Sequence, residues 1–172
     1  MFTNLNSVFV GGPMYQLLDP STGLMSDRDK ARFTTLIEYF ERHGATVYNA
    51  HRREAWGARL LTPPEATRLD FTEIRQADLF VALPGVPPSP GTHVEIGWAS
   101  ALGKPMVLLL EHDASHAFLV TGLETVANVE LVWFTDPMDI VGQLEVAVPR
   151  VLARRGGAVS PASAHRVAAA EP

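Results

Sequence analysis

Short apolar runs alternate along the chain with longer stretches in which apolar residues recur every three or four positions. Short apolar runs bounded by turn residues predict buried strands, and the longer periodic stretches predict amphipathic helices. Because the two patterns alternate throughout, the sequence predicts an α/β fold with a doubly wound five-stranded parallel sheet. The predicted strands are Ser7–Gly12, Thr46–Tyr48, Leu79–Leu83, Met106–Leu110 and Val129–Phe134.

Local end signals place the predicted helices. The first begins after Ser26, whose side chain can cap the helix together with Asp29, and it ends before Gly44. Pro64 suits the first turn of the second helix. The stretch 49–63 is expected to be a long loop, and residues 1–155 a single domain followed by a disordered tail over 156–172. The remaining predicted helices span 92–102, 116–124 and 137–154.

Composition restricts what such a domain can bind. The length of 172 residues suits one domain, and a hydrophobic content of 47% is enough for a packed core. A net charge of −5 argues against nucleic acid as a partner, whereas a small anion held by local donors stays compatible. The chain has no cysteine, no histidine pair at metal-ligand spacing and no Walker or G-x-G-x-x-G loop, so we expect no metal and no cofactor. Lacking a signal-peptide pattern or a long apolar run, it is expected to be cytoplasmic and to bind no membrane.

The carboxyl ends of the first and third strands define the expected ligand crevice. In open parallel sheets the ligand lies where the strand order reverses, and the flavodoxin- or Rossmann-like order 2-1-3-4-5 reverses between these two strands. The loops that follow them are Gly11–Tyr15 and Pro84–Gly91. Glu95, near the start of the helix predicted over 92–102, should therefore lie at the crevice.

Glu95 and Asp70 are the candidate catalytic carboxylates. If Thr92 caps its helix, Thr-x-x-Glu is the spacing of a capping box, in which Glu95 only stabilises the helix end. Its expected position at the crevice favours another interpretation, a carboxylate that attacks an anomeric carbon as in retaining glycosidases. Asp70 lies at the edge of the apolar face of its helix, where it is either a solvated side chain or the second carboxylate of the site.

Ser89 and the amides of Gly91 and Thr92 form a candidate phosphate site. Helix N-termini bind anions through unpaired N–H groups and the helix dipole. The alternative is ordinary turn chemistry. Gly11 and Gly12 either let a ligand approach the backbone closely, at the sugar and the phosphate respectively, or only turn the chain.

A third candidate group supplies aromatic and basic side chains for the base and sugar. His51, Arg52, Arg53 and Trp56 lie on the predicted loop 49–63, which we interpret as a lid over the base or as a charged surface loop with one buried aromatic. Met14 and Tyr15 follow the first strand and are expected to border the base. Either Trp56 or Tyr15 could stack on it.

Three blocks of the sequence together resemble the nucleoside 2-deoxyribosyltransferase superfamily, over roughly residues 8 to 135. The resemblance implies that Glu95 is the nucleophile of a glycosyl-enzyme and that Asp70 assists at the base and sugar. Many members carry a Tyr where this chain has Val8, so a role for that Tyr does not transfer. The blocks are Val8-Phe9-Val10-Gly11-Gly12-Pro13, Asp70-x3-Ile74-x2-Ala77-Asp78 and Ser89-x-Gly91-Thr92-x2-Glu95-Ile96-Gly97-Trp98-Ala99-x-Ala101-Leu102-Gly103-Lys104-Pro105.

Ser89 and the stretches 49–57 and 90–99 resemble one branch of this superfamily. The position of Ser89 is Asp in transferases that act on free nucleosides and Ser in nucleotide N-glycosidases, where it binds the 5′-phosphate. The two stretches resemble the CMP and 5-hydroxymethyl-CMP hydrolases of peptidyl-nucleoside antibiotic biosynthesis, which release the base and ribose 5-phosphate. The resemblance also implies a homodimer or higher homo-oligomer with shared active sites, in which the neighbouring subunit completes the phosphate site. Thr121 and Asn128 are our candidates for that contribution.

The sequence therefore predicts hydrolysis of the N-glycosidic bond of CMP or 5-hydroxymethyl-CMP, and it leaves three alternatives open. Within the superfamily the chain could be a deoxyribosyltransferase or a deoxynucleotide N-glycosidase. A phosphoribohydrolase of the cytokinin-activating kind also uses a Gly-Thr-x-x-Glu block, but in a Gly-Gly-rich loop that Val86-Pro87-Pro88-Ser89 does not match. A nucleotide-binding protein without catalysis is the alternative of another class.

Overall fold

The computed structural model describes residues 5–86 and 88–154 and contains one parallel sheet of five strands. Its order is β2-β1-β3-β4-β5, as the alternating sequence pattern predicts. All four neighbouring pairs are parallel. The strands are β1 Ser7–Gly11, β2 Thr46–Tyr48, β3 Leu79–Ala82, β4 Met106–Glu111 and β5 Val129–Phe134.

Helices follow the strands and cover both faces of the sheet. None of the helices within the described residues is long and apolar enough to cross a membrane. The tail predicted over 156–172 lies outside the described part of the chain. The helices are α1 Asp27–Arg42, α2 Ala50–Arg53, α3 Pro63–Gln76, α4 Pro90–Ala101, α5 Phe118–Thr121 and α6 Ile140–Ala153.

The ends of α1 confirm the predicted capping signals. Ser26 Oγ accepts a hydrogen bond from the amide of Asp29 at 3.2 Å and donates one to its Oδ2 at 2.6 Å. Gly44, just beyond the helix, has a φ of +88°, which favours glycine. Between these ends, Phe33 and Phe40 lie in the buried face that packs on the sheet. Local sequence thus determined where this helix begins and ends.

Three helix predictions needed correction. The predicted loop 49–63 contains α2, because the Asn49 side chain accepts a hydrogen bond from the amide of Arg52 at 2.8 Å and caps a short helix. The helix predicted over 116–124 is shorter, since it spans only Phe118–Thr121, and a single 3₁₀ turn follows its C-cap Gly122. The helix predicted from Thr92 begins two residues earlier, at Pro90, because Ser89 rather than Thr92 caps it.

Two layers of apolar side chains enclose the sheet and leave its carboxyl edge accessible. One layer packs under α1 and α6, and the other under α3 and α4. β1 and β3 lie side by side at the centre, and the amide of Leu83 donates to the carbonyl of Gly11 at 3.2 Å just beyond their ends. The strand order reverses at this point, so the loops after β1 and β3 diverge and a crevice opens between them.

Candidate active site

A cavity of about 460 Å³ opens at the carboxyl edge of the sheet beside β1 and β3. This volume lies within the range of cavities that hold small ligands, which is about 300–1,000 Å³. Its walls come from the loop after β1, from α2 and α3, and from the first turns of α4. Lining residues from these elements include Gly12, Met14, Tyr15, Gln16, Glu54, Ala66, Asp70, Ser89, Gly91, Thr92, Glu95 and Trp98.

Glu95 lies in the wall of this cavity and does not cap its helix. Because α4 begins at Pro90, Glu95 is the sixth helical residue and lies beyond the reach of the capping-box position. Its Oε2 is fully shielded from solvent and has no hydrogen-bond partner in the described part of the chain. A buried polar oxygen without a partner is costly, so it indicates a group held ready for a ligand or for chemistry.

The absence of a side chain at Gly11 makes room for the Glu95 carboxyl group. A Cβ at Gly11 would lie 2.8 Å from Oε2 of Glu95, closer than van der Waals contact permits. Gly11 is the last residue of β1 and is buried. The glycine that sequence analysis placed near the sugar therefore lies directly against the candidate nucleophile.

The electrostatic surroundings of Glu95 favour its protonated form. Burial raises the pKa of its carboxyl group well above the usual range, the negative charge of Asp70 raises it further, and the guanidinium of Arg53 opposes both. Once ionised, such a poorly solvated carboxylate is a strong nucleophile toward an electrophilic carbon. The site can therefore support covalent chemistry on a ligand carbon that reaches the carboxyl group.

Asp70 lies in the α3 wall of the cavity and is bound by an arginine. Arg53 Nη2 donates to Asp70 Oδ1 at 2.6 Å, and Arg53 Nη1 donates to Glu73 Oε2 at 2.6 Å. Burial raises the pKa of the Asp70 carboxyl, while the hydrogen bond and charge of Arg53 act in the opposite direction. Two carboxyl groups with different surroundings thus face one cavity, which is the arrangement that acid–base chemistry requires.

The first turn of α4 brings the predicted phosphate-binding residues to the cavity. Ser89 is buried and caps the helix, its Oγ accepting from the amide of Thr92 at 3.4 Å. Thr92 Oγ1 is also buried and has no hydrogen-bond partner among residues 5–86 and 88–154. Gly91 and Gly12 line the same region. The helix N-terminus, with an unsatisfied hydroxyl beside it, is suited to an anion.

The loop after β1 forms the outer wall of the cavity. Met14 and Tyr15 line it, as predicted for the base side, together with Gln16. Tyr15 is 65% exposed, so its ring is free to pack on a bound ligand. The loop after β1 therefore presents the Tyr15 ring and the Gln16 amide to the cavity, whose other walls include α3 and α4.

His51 supports this loop from behind instead of lining the cavity. Its Nε2–H donates to the carbonyl of Pro13 at 2.9 Å, and its Nδ1 accepts from the Asn49 amide at 3.1 Å, a pattern that fixes one neutral tautomer. The ring stacks on Phe33 with centroids 3.9 Å apart. Burial lowers the pKa of His51 to about 4. The interpretation of this histidine as part of a lid over the base is therefore replaced by a structural role.

Arg52 and Trp56 also lie outside the cavity lining. Arg52 is exposed and donates to Glu41 Oε1 at 2.6 Å and to the carbonyl of Val47 at 3.0 Å. Trp56 packs partly buried against the core, and its carbonyl accepts from the amide of Met25 at 3.0 Å. These contacts anchor the segment after β2 to the rest of the fold. The segment predicted to be a lid is therefore a folded part of the domain.

Thr121 and Asn128 are remote from the cavity lining of their own chain. Asn128 precedes β5 and so lies at the amino edge of the sheet, where its Nδ2 donates to the carbonyl of Val151 at 2.9 Å. Thr121 is exposed on α5, and its hydroxyl donates to the carbonyl of Phe118 at 3.0 Å. Neither side chain reaches the phosphate region within one subunit, so a contribution from them would require a neighbouring copy.

Two residues that line the cavity, Glu54 and Trp98, were not predicted from the sequence. Trp98 carried a weak signal, since it lies one helical turn after Glu95 and hence on the same side of α4. Arg53 was expected only as part of the lid, but it binds Asp70. The directions of Arg53 and Glu54 were not predictable, because charged residues in a segment interpreted as a loop show no periodicity.

Comparisons with known proteins agree on one family. The sequence profile of the nucleoside 2-deoxyribosyltransferase family matches residues 22–141. The solution structure of BlsM is 53% identical, covers 90% of this chain and 96% of its own, and superimposes with a TM-score of 0.79. The CMP N-glycosidase BcmB of Clostridium botulinum is 34% identical, with coverages of 81% and 99% and a TM-score of 0.62. A comparison with curated proteins yields no match.

Proposed function

The chain belongs to the nucleoside 2-deoxyribosyltransferase family, and from this premise we propose that it is an N-glycosidase that hydrolyses a pyrimidine ribonucleoside 5′-monophosphate, CMP or 5-hydroxymethyl-CMP. The observation that carries the proposal is the shielded, unpartnered Oε2 of Glu95 in the wall of a ligand-sized cavity. A similar protein, BcmB, is a CMP N-glycosidase. The cavity offers the second carboxyl group and the helix N-terminus that this reaction needs.

In the first step we propose that the ionised carboxylate of Glu95 attacks C1′ of the nucleotide. A bond forms between a carboxylate oxygen and C1′, the bond from C1′ to the base nitrogen breaks, and the base leaves with the bonding electron pair. Burial favours the proton of the pair on Glu95, so the form that reacts is the one in which that proton lies on Asp70, which donates it toward the leaving base. The product of this step is a ribosyl ester of Glu95 and the free base.

In the second step a water molecule attacks C1′ and releases Glu95. The proton lost by the water passes to a carboxylate, so the residue that acted as acid acts now as base, as in other retaining glycosidases. Ribose 5-phosphate leaves and Glu95 is regenerated. The double displacement needs no group beyond the two carboxyls and water.

The phosphate is assigned to the first turn of α4. Ser89 Oγ, Thr92 Oγ1 and the amide of Gly91 lie there, and unpaired helix amides favour a dianion. No Lys or Arg lines the cavity among the described residues, whereas Glu54, Asp70 and Glu95 do. Charge complementarity to the phosphate is therefore incomplete in one subunit.

We propose that a second copy of the chain completes the phosphate site in a homodimer or higher homo-oligomer. Thr121 remains the candidate contribution, since its hydroxyl is at the surface beside the exposed side chains of Phe118 and Leu119. Asn128 is less accessible to a neighbouring copy, because it is partly buried, whereas Thr121 is exposed. Light scattering of the purified protein gives the oligomeric state, and Phe118→Glu is expected to lower both the mass and the affinity for CMP.

The proposed function is tested by the release of free base from a panel of CMP, 5-hydroxymethyl-CMP, dCMP, UMP and cytidine. We expect cytosine from CMP or hydroxymethylcytosine from 5-hydroxymethyl-CMP, and little base from cytidine. Glu95→Gln should abolish release, whereas Glu38→Gln, an exposed change on α1, is the matched control. Binding of CMP without any product would contradict the proposal and indicate a non-catalytic nucleotide-binding protein.

Transfer is the alternative that the family profile itself favours, since it describes deoxyribosyltransferases. Hydrolysis and transfer share the covalent intermediate and differ only in whether water or a second base attacks it. Incubation of dCMP with a different free base separates them. Appearance of a new deoxynucleotide, in place of free deoxyribose 5-phosphate, would establish transfer.

A further inference from the structure

We propose that Arg53 is a positioning residue that holds the Asp70 carboxylate in the cavity wall and supplies a positive charge to the buried carboxyl groups around Glu95. This inference rests on the proposed function for its catalytic consequence. The position of the Arg53 guanidinium beside Asp70 and near Glu95 does not depend on which substrate binds.

The guanidinium of Arg53 joins α2 to α3 through two short ion pairs. Nη2 lies 2.6 Å from Asp70 Oδ1, and Nη1 lies 2.6 Å from Glu73 Oε2. Asp70 and Glu73 are three residues apart on α3, so both carboxylates lie on one side of that helix. Asp70 accepts one of these bonds, and the other, to Glu73, fixes the plane of the guanidinium and so the direction from which Arg53 holds Asp70.

A third carboxylate fixes Arg53 from its own side. Glu54 is buried, its Oε1 lies 3.5 Å from Arg53 Nη2, and its Oε2 accepts from the amide of Leu61 at 3.1 Å. Directly after Glu54 the backbone takes two left-handed conformations at non-glycine residues, with φ of 49° at Ala55 and 58° at Trp56. Such strain persists only where the surrounding structure requires it, so the turn after Glu54 is firmly held.

The cluster has more negative than positive groups. Arg53 forms ion pairs with three carboxylates, those of Glu54, Asp70 and Glu73. Its charge also acts on the carboxyl group of Glu95. Burial raises the pKa of Asp70, Glu73 and Glu95, and Arg53 opposes that rise in all three. Removing the guanidinium would therefore make the Asp70–Glu95 pair take up its first proton at higher pH. A protonated Glu95 cannot attack C1′.

The neighbouring Arg52 is a matched control, because it has the same charge, lies on the same short helix and points elsewhere. Arg52 pairs with Glu41 on α1 at 2.6 Å and is absent from the carboxylate cluster. Three other titratable groups lie near the site. Tyr15 lines the cavity, His93 lies on α4 with its Nδ1 2.6 Å from the carbonyl of Ser89, and His51 is held neutral behind the loop that follows β1. None of these contributes to the shift of Glu95.

The experiment has an activity measurement and a substrate-free measurement. The pH dependence of kcat/KM for CMP is recorded for the wild type, Arg53→Gln, Arg53→Lys and Arg52→Gln. The same proteins, labelled with ¹³C at Asp and Glu carboxyls, are titrated by NMR without ligand. We expect Arg53→Gln to lower kcat about 100-fold near neutral pH, as loss of positioning does, and to move the acid limb to higher pH. In Arg53→Lys the acid limb of the pH profile should lie close to its wild-type position, because the positive charge is kept. Arg52→Gln should match the wild type.

Unchanged carboxyl titration in a folded Arg53→Gln protein would overturn the proposal, and so would a fall in activity that is equal at all pH values. If Arg53→Gln does not fold, Glu73→Gln decides. It removes a competing carboxylate, so proton uptake by the Asp70–Glu95 pair should move to lower pH, and no shift or an upward shift would overturn the proposal. If the wild type releases no base from CMP, the proposed function fails while the titration still decides the role of Arg53.

Discussion

Gly11 and Glu95 form a close pair at the end of β1, where a Cβ on Gly11 would lie 2.8 Å from Oε2 of Glu95. The other near atom is in the Phe9 ring at 3.3 Å. Oε2 is the end of a flexible side chain and can move, so the fold can accommodate a methyl group. With a methyl group at position 11, however, the carboxyl group of Glu95 has to move from its present position.

Gly11→Ala should therefore reduce activity without a comparable loss of stability. We expect kcat to fall by roughly 100-fold, because a displacement of about 1 Å at a reacting group has that effect. Thermal unfolding should change little. Gly97→Ala, on α4 with no atom within 4 Å of the added methyl, is the control and should leave activity intact. Wild-type turnover in Gly11→Ala would show that Glu95 is not held where the structure places it.

Gly12→Ala should reduce the stability of the fold. Its Cβ would lie 2.6 Å from two atoms of the Phe33 ring, which is fully buried and stacked on His51. A buried ring cannot give way cheaply, so we expect a loss of about 1–3 kcal/mol in the free energy of unfolding. Urea denaturation measures this loss. Gly11→Ala under the same conditions shows whether the effect belongs to Gly12 or to the whole loop.

Glu95→Gln should stabilise the protein at neutral pH while abolishing activity. Since the pKa of Glu95 in the folded state lies well above 4.5, the unfolded chain ionises first as pH rises and stability falls from pH 4.5 upward. Gln does not titrate, so it removes this fall. We expect a gain of roughly 1–3 kcal/mol at pH 8, the usual range for an unsatisfied buried polar group, and little gain at pH 4.

Urea unfolding of both proteins at pH 4 and pH 8 checks this sign. An equal gain at both pH values would attribute the effect to packing. A loss at pH 8 would mean that Glu95 has a stabilising partner in the folded protein.

His51 should make the protein sensitive to acid between pH 6.5 and 4. Its pKa falls from 6.5 to about 4 on folding, because burial disfavours the imidazolium. The unfolded chain therefore binds this proton first as pH falls, and about 3 kcal/mol of stability is lost across that window. His51→Gln should flatten the pH dependence of the unfolding free energy there. His112→Gln, at the surface, controls for the loss of an imidazole.

Ser89→Asp should weaken nucleotide binding without removing the helix cap. Asp is as good an N-cap as Ser, so α4 should begin at the same residue. A carboxylate beside the phosphate costs several kcal/mol, and we expect KM for CMP to rise on the order of 100-fold. Ser89→Ala loses about 1 kcal/mol of capping without adding charge and should bind CMP better than the Asp variant. Equal KM values for the two variants would place the phosphate elsewhere.

Local signals were sufficient for the framework. The end residues Ser26 and Gly44 act on the backbone within four residues of themselves, and their effect does not depend on the rest of the fold. The apolar runs at 79–83 and 106–110 carried the same kind of information, because a strand buried on both faces must be apolar throughout. The strand order and the crevice were then expected from the fold class that these elements imply.

The same signals misplaced the polar residues of the segment 49–57. His51, Arg52 and Trp56 were expected to cover the base. Instead they form hydrogen bonds with Pro13, Glu41 and Met25 respectively. Periodicity identifies the buried face of a long element, but a four-residue helix shows no period. The directions of its side chains are set by partners distant in sequence.

The sequence by itself determined the strands and helices, since apolar pattern and capping chemistry are local properties, and the fold class that they imply led to the strand order and to the place of Glu95 near the crevice. Only the tertiary structure decided that Glu95 is the sixth residue of α4, unpartnered and held against Gly11. It alone also paired Arg53 with Asp70, 17 residues away, while Arg52 turned to α1. Burial and ion pairing depend on which segments pack together, and that information is absent from any single stretch of the chain.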